Sequence, residues 1–101
     1  MTRPHWHTRP DANQQDVIDA LRAGLGADAV ILDCSRWASV YDLLVYAYDV
    51  RLGAYRWQPL ELKTAGGELT AEQKAFQDEH PGAIPVIRDG AEGLAEFGRT
   101  Q

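Results

Sequence analysis

The sequence predicts one α/β (α+β) domain with a mixed central sheet and the element order α-β-β-β-α-β-α. Three observations carry this. A capped amphipathic segment lies near the start. Two runs rich in β-formers follow, joined by a short turn, and then a Thr-capped polar segment leads into a short apolar one. At 101 residues the chain has room for one domain and one small core.

Residues 1–10 hold Pro4 and Pro10 among basic and polar residues and are expected to form a flexible N-terminal arm, with the domain proper over 11–98. Asp11 and Gln14 have the spacing of a capping box. Val17, Ile18, Leu21 and Leu25 then recur at helical spacing, and Gly24 and Gly26 are stop signals, so the first helix is expected over about 12–24. The apolar run 29–32 reads as a short buried strand. Two longer strands are expected over 42–48 and 55–63, with a turn between them. Thr70 caps a helix over 71–79 that His80-Pro81-Gly82 ends. A fourth strand is expected over 84–88, and a last helix over 91–97, opened by Asp89 or Gly90 and closed by Gly98.

Composition narrows the chemistry. The single cysteine, Cys34, allows no internal disulfide and no Cys-rich zinc site; it is expected to serve packing in a reducing cytoplasm. No apolar run approaches a membrane span, and residues 1–7 lack the apolar stretch of a signal peptide. The net charge is −5, a poor basis for holding phosphate. The ten basic residues are eight arginines and two lysines, Lys63 and Lys74.

Folding the two longer strands into a hairpin brings chemistry together. A two-residue turn at Arg51-Leu52 sets Asp42 opposite Glu61; a turn at Leu52-Gly53 sets it opposite Lys63. In both registers Asp42, Glu61 and Lys63 share one face, because side chains alternate along a strand. Leu43, Val45, Leu60 and Leu62 then form the core face, and Pro59 marks a bulge or an edge. Two carboxylates can hold a hard divalent cation, and a lysine beside them can act on its bound water. The same residues also suit an ordinary surface salt bridge, and E-x-K on a strand is common. Trp57, Tyr46 and Tyr48 fall on the candidate face, where they would wall a site or form a dimer contact.

Four stretches go further: Arg9-Pro10-Asp11-Ala12-Asn13-Gln14-Gln15-Asp16; Asp33-Cys34-Ser35-Arg36 before Asp42-Leu43-Leu44-Val45; Leu60-Glu61-Leu62-Lys63; and Leu69-Thr70-Ala71-Glu72-Gln73-Lys74-Ala75-Phe76. Across about residues 9–98 they resemble the PD-(D/E)xK nuclease superfamily, and within it the small phage and bacterial nucleases of the virus-type replication-repair (VRR-NUC) group. The resemblance implies a restriction-endonuclease-like domain and a Mg²⁺- or Mn²⁺-dependent deoxyribonuclease. It implies Asp42, Glu61 and the Leu62 carbonyl as metal ligands, with Lys63 serving the attacking water. Gln73 would reach the catalytic face, and Asp16 stands where the family often has a metal-proximal Glu. It further implies structured DNA, such as four-way junctions, cut by a homodimer in a bacterial or phage-infected cytoplasm. Tyr41 departs from the family's proline, Trp37-Ala38-Ser39-Val40 from its glycines, and Asp16 is one methylene short.

Candidate DNA contacts are Arg36 in the loop before Asp42, Lys74 on the helix, and Arg9 and Trp6 in the arm. There Arg3, His5 and His7 also cluster, and an indole could stack on a base. The arm has plainer readings, a mobile tail or a His5-x-His7 metal site. The rival for the whole chain is a non-catalytic protein-binding module on a decayed nuclease fold.

Overall fold

The computed structural model describes residues 14–36, 41–63 and 67–99. The observed elements are α1 (Gln14–Leu25), β1 (Val30–Asp33), β2 (Leu43–Asp49), β3 (Ala54–Leu62), α2 (Ala71–Glu79), β4 (Val86–Ile87) and α3 (Gly90–Ala95). The order is the expected α-β-β-β-α-β-α, in one mixed four-stranded sheet arranged β1-β2-β3-β4. β1–β2 and β2–β3 pair antiparallel, and β4 returns parallel to β3 after α2. Among the described residues no helix is long and apolar enough to cross a membrane.

The central hairpin pairs Leu43 with Leu60 and ends at Asp49 opposite Ala54. This register sets Asp42 across from Glu61. The turn is longer than expected, occupying 50–53, and Gly53 takes φ +70 there. Asp49 explains that length. Its Oδ1 accepts from the backbone N–H of Arg51 at 2.9 Å, and its Oδ2 pairs with Arg56 Nε at 2.7 Å. No bulge is needed at Pro59, which sits in regular register opposite Leu44. The N–H groups of Glu61 and Lys63 point to the β4 side, bonding Pro85 and Ile87. Position 59 has the same parity but lies before β4 pairing begins at Glu61, so its missing N–H costs no ladder bond.

The core lies on one face of the sheet. Val17, Leu21 and Leu25 of α1 pack with Leu43, Val45, Ala47, Leu60, Leu62 and Ile87, closed by Leu94 and Phe97. The α1–α3 contact is close enough to require glycine. A Cβ on Gly90 would stand 2.4 Å from Ala20 Cβ, and one on Gly93 would stand 2.8 Å from Leu21 Cδ2.

Several boundaries differ from expectation. The first helix is Gln14–Leu25; its proposed cap, Asp11, falls outside the described residues, as does the arm. The run 29–32 is not a buried strand. β1 is an edge strand over Val30–Asp33, with Val30 40% and Leu32 44% exposed, because only its Ile31 side meets the core. The fourth strand shrinks from 84–88 to Val86–Ile87. α3 opens at Gly90 with Asp89 as cap, its side chain accepting from Glu92 N–H at 2.9 Å. α2 spans Ala71–Glu79 as expected, with a full Thr70–Gln73 capping box.

Candidate active site

The site forms where β2 begins and β3 ends. Asp42 is tied there by its backbone: its N–H donates to the Leu60 carbonyl at 2.9 Å, and its own carbonyl accepts from Cys34 at 2.7 Å. The side chain joins the same step, as Oδ2 accepts from the Leu62 N–H at 2.9 Å. Asp42 is therefore a fixed group on the strand end.

Glu61 lies on the opposite face of β3 from Leu60 and Leu62, yet all three are buried. The core covers the leucines, and α2 covers Glu61. Gln73, itself 8% exposed, donates from Nε2 to Glu61 Oε2 at 2.7 Å. The capping box fixes which end of that amide points inward. Gln73 Oε1 accepts from the Thr70 N–H at 2.9 Å, so the NH₂ end faces Glu61. Lys63, two residues on and so on the same strand face, places Nζ 3.2 Å from Glu61 Oε2. Oε2 thus has two partners, while Oε1 is buried with no hydrogen-bond partner.

Burial pushes the Glu61 carboxyl up to about 7, and the negative charge of Asp42 pushes the same way; Lys63 and Gln73 only partly offset them. An ionised acid in this place has one lysine, on one oxygen only, against burial and a second acid. The available donors are carboxylate oxygens and, in the same strand step, the Leu62 backbone. That oxygen set fits a hard divalent cation such as Mg²⁺ or Mn²⁺. The buried, unpartnered Oε1 is the observation that makes the fit specific.

The remaining expected residues are distributed differently. Asp16 is exposed on the first turn of α1, and among the described residues no three His, Cys, Asp or Glu side chains gather about one point. Arg36 is exposed in the turn after β1, and Lys74 is exposed on α2 beside Gln73. Arg9 and Trp6 fall outside the described residues. One residue was passed over in the sequence. Arg88 follows directly on Ile87, whose carbonyl accepts from Lys63 N–H at 3.1 Å, so it stands at the same end of the sheet. Its signal is its place just after the strand that pairs with Glu61 and Leu62.

Asp42, Glu61, Lys63 and Gln73 come from three separate stretches of chain and meet at one strand end. No protein-family model, no curated protein and no solved structure matches this chain.

Proposed function

We propose that this protein is a metal-dependent deoxyribonuclease of the PD-(D/E)xK type. The observation that carries the reading is Glu61: a buried acid beside a second acid, oriented by Gln73 and Lys63, with one oxygen unpartnered. Asp42, Glu61 and the Leu62 carbonyl would hold Mg²⁺ or Mn²⁺. Bound there, the ion would supply a water of lowered pKa and neutralise charge on a phosphate oxygen. Lys63 Nζ would donate to the attacking water and orient it. Gln73 would hold Glu61 Oε2 and leave the buried Oε1 for the ion. The net reaction adds water across the P–O3′ bond. A new O–P bond forms, the bond to O3′ breaks, and O3′ takes a proton, leaving 5′-phosphate and 3′-hydroxyl ends.

The chain's charge of −5 means that DNA would be held by local groups rather than by bulk attraction. Arg36, Lys74 and Arg88, with Arg9 and Trp6 of the arm, are the groups proposed for that contact.

The test is incubation of the full chain with supercoiled plasmid, linear duplex and four-way-junction DNA, in Mg²⁺, Mn²⁺ or EDTA. Metal-dependent cleavage of at least one substrate is expected. Asp42→Asn should abolish it, and Lys63→Ala should abolish it while keeping the fold. No cleavage of any substrate, or cleavage unchanged by both substitutions, would overturn the proposal and leave the non-catalytic module as the better reading.

A further inference from the structure

The strand alternation that sets Asp42, Glu61 and Lys63 on one face of the sheet puts Tyr46, Tyr48, Tyr55 and Trp57 on that face too. Tyr46 stands opposite Trp57, and Tyr48 opposite Tyr55. Leu44 and Pro59, also opposite each other, form the step between the rings and the acids. Along the hairpin no charged side chain stands on this face between the acids and the rings. Trp57 precedes Glu61 by four residues, about 13 Å along the strand. The face thus runs from two acids and a lysine, over one apolar step, onto four aromatic rings.

The rings are already arranged. Tyr46 stacks on Tyr55 with centroids 5.5 Å apart and packs on Trp57 at 5.0 Å. Tyr48 meets Tyr55 edge-on at 5.4 Å. The Tyr55 hydroxyl donates to Asp28 Oδ2, which ties the ladder to the α1–β1 connection. Tyr48, Tyr55 and Trp57 remain between 37% and 48% exposed. A solvated face of an antiparallel sheet normally turns polar side chains to water. Here it turns rings that are held in place and lose little entropy when something lies on them.

We infer that these rings are a stacking platform for an unpaired DNA strand that leads into the candidate site. The substrate would then carry several unpaired nucleotides beside the scissile phosphate. For the site to which the strand leads, this rests on the nuclease reading above. In a duplex each base is covered by its neighbours, and only an unpaired strand offers base faces to a protein's rings. Stacking also suits an acidic chain. The rings and the step beside them bring no lysine or arginine to phosphate, so a duplex has little to hold it there. At ~3.4 Å per stacked nucleotide, the distance from Trp57 to Glu61 is the length of about four nucleotides. This substrate differs from the fully paired arms of a four-way junction.

The test has two arms. In EDTA, to prevent turnover, fluorescence anisotropy compares binding of the full chain to a labelled single strand of about 15 nucleotides and to the same sequence as a blunt duplex. The single strand should bind at least ~10-fold tighter. Trp57→Ala should weaken its binding roughly 5- to 150-fold, the worth of one base–ring stack, and Trp57→Phe should keep most of it. Circular dichroism and the melting temperature check that each variant folds. In Mn²⁺, a duplex bearing a single-stranded flap should be cut with a lower KM than a blunt duplex or a four-way junction. Trp57→Ala should raise that KM with little change in kcat. Equal binding of strand and duplex, or strand binding unmoved by Trp57→Ala, would overturn the inference, including the case in which a second copy of the chain covers the rings. A flap cut no better than the blunt duplex would overturn the link to the site. Ring-dependent strand binding with no cleavage of any substrate would leave the platform standing and overturn the nuclease reading instead.

Discussion

Glu61→Gln should make the metal-free protein more stable, and only above a definite pH. In the fold the Glu61 carboxyl is raised from its ordinary 4.5 to about 7, first by burial and then by Asp42. Between these values the native state holds a proton that the unfolded chain has released. Stability therefore falls as pH rises through that window, and the whole penalty is present above pH 7. At about 1.4 kcal/mol per unit, the penalty is on the order of 3 kcal/mol. For a domain of this size that corresponds to roughly 10–20 °C in melting temperature. Glutamine is neutral at every pH and can still accept from Gln73. In EDTA, the variant should match wild type near pH 4.5 and exceed it by about that amount at pH 8. Thermal denaturation at pH 4.5, 6, 7 and 8 gives the two profiles. Adding Mn²⁺ at pH 8 should then raise wild type and leave the variant where it was. Parallel profiles in EDTA would refute the reasoning, because they would mean that Glu61 enters the fold ionised at no cost.

Two further substitutions probe the groups around it. Gln73→Ala removes both the capping-box arm and the Glu61 contact, and should cost about 1–2 kcal/mol in urea denaturation. Thr70→Ala weakens the same cap without removing the amide that touches Glu61. Cleavage should therefore fall much further in Gln73→Ala, and equal activities would reduce Gln73 to a cap. At the other end of the hairpin, Arg51 and then Arg56 hold the Asp49 carboxyl far below the usual carboxylate range. That stabilisation is complete above the unfolded value of about 4 and is lost as pH falls. Asp49→Asn should lower the melting temperature at pH 7, and its deficit against wild type should shrink below pH 4.

What the sequence reveals depends on how local the cause is. α2 is legible to the residue because Thr70 and Gln73 make its cap within one turn. The shared face of Asp42, Glu61 and Lys63 is legible because alternation along a strand has no other outcome. β1 is misread for a physical reason. An unbroken run such as Ala29-Val30-Ile31-Leu32 looks buried on both sides, whereas this strand lies at the sheet edge with one side bare. The shortened β4 follows from Pro85, which accepts from Glu61 but has no N–H to give the ladder. The Gln73–Glu61 bond spans twelve residues, and no spacing rule announces it. Nor did the sequence announce the Asp49 network, which makes the turn longer than a two-residue hairpin.

Asp49 and Glu61 contrast a buried acid whose oxygens are all satisfied with one left short of partners. Both are buried, at 0% and 2% exposure, and each lies near a basic side chain. The Asp49 oxygens are fully used by Arg51, Arg56 and the turn's own N–H groups, and its carboxyl is pulled down. Glu61 has one lysine and one amide on a single oxygen, a second acid nearby and its other oxygen bare, and its carboxyl is pushed up. A fold selected only for stability would treat Glu61 as it treats Asp49, because an unsatisfied buried acid costs several kcal/mol that an arginine would recover. Every level of the surrounding structure agrees with its neighbours: strand alternation, cap, register and core packing. Among the described residues Gln14 Oε1 and Arg99 Nε are also buried without a partner, but the one such atom on an acid, Glu61 Oε1, sits where the strand ends and two acids converge. Such violations persist where binding a missing positive charge repays them. On that reasoning the unpartnered Oε1 of Glu61, more than the E-x-K pattern, is the observation on which the proposed chemistry rests.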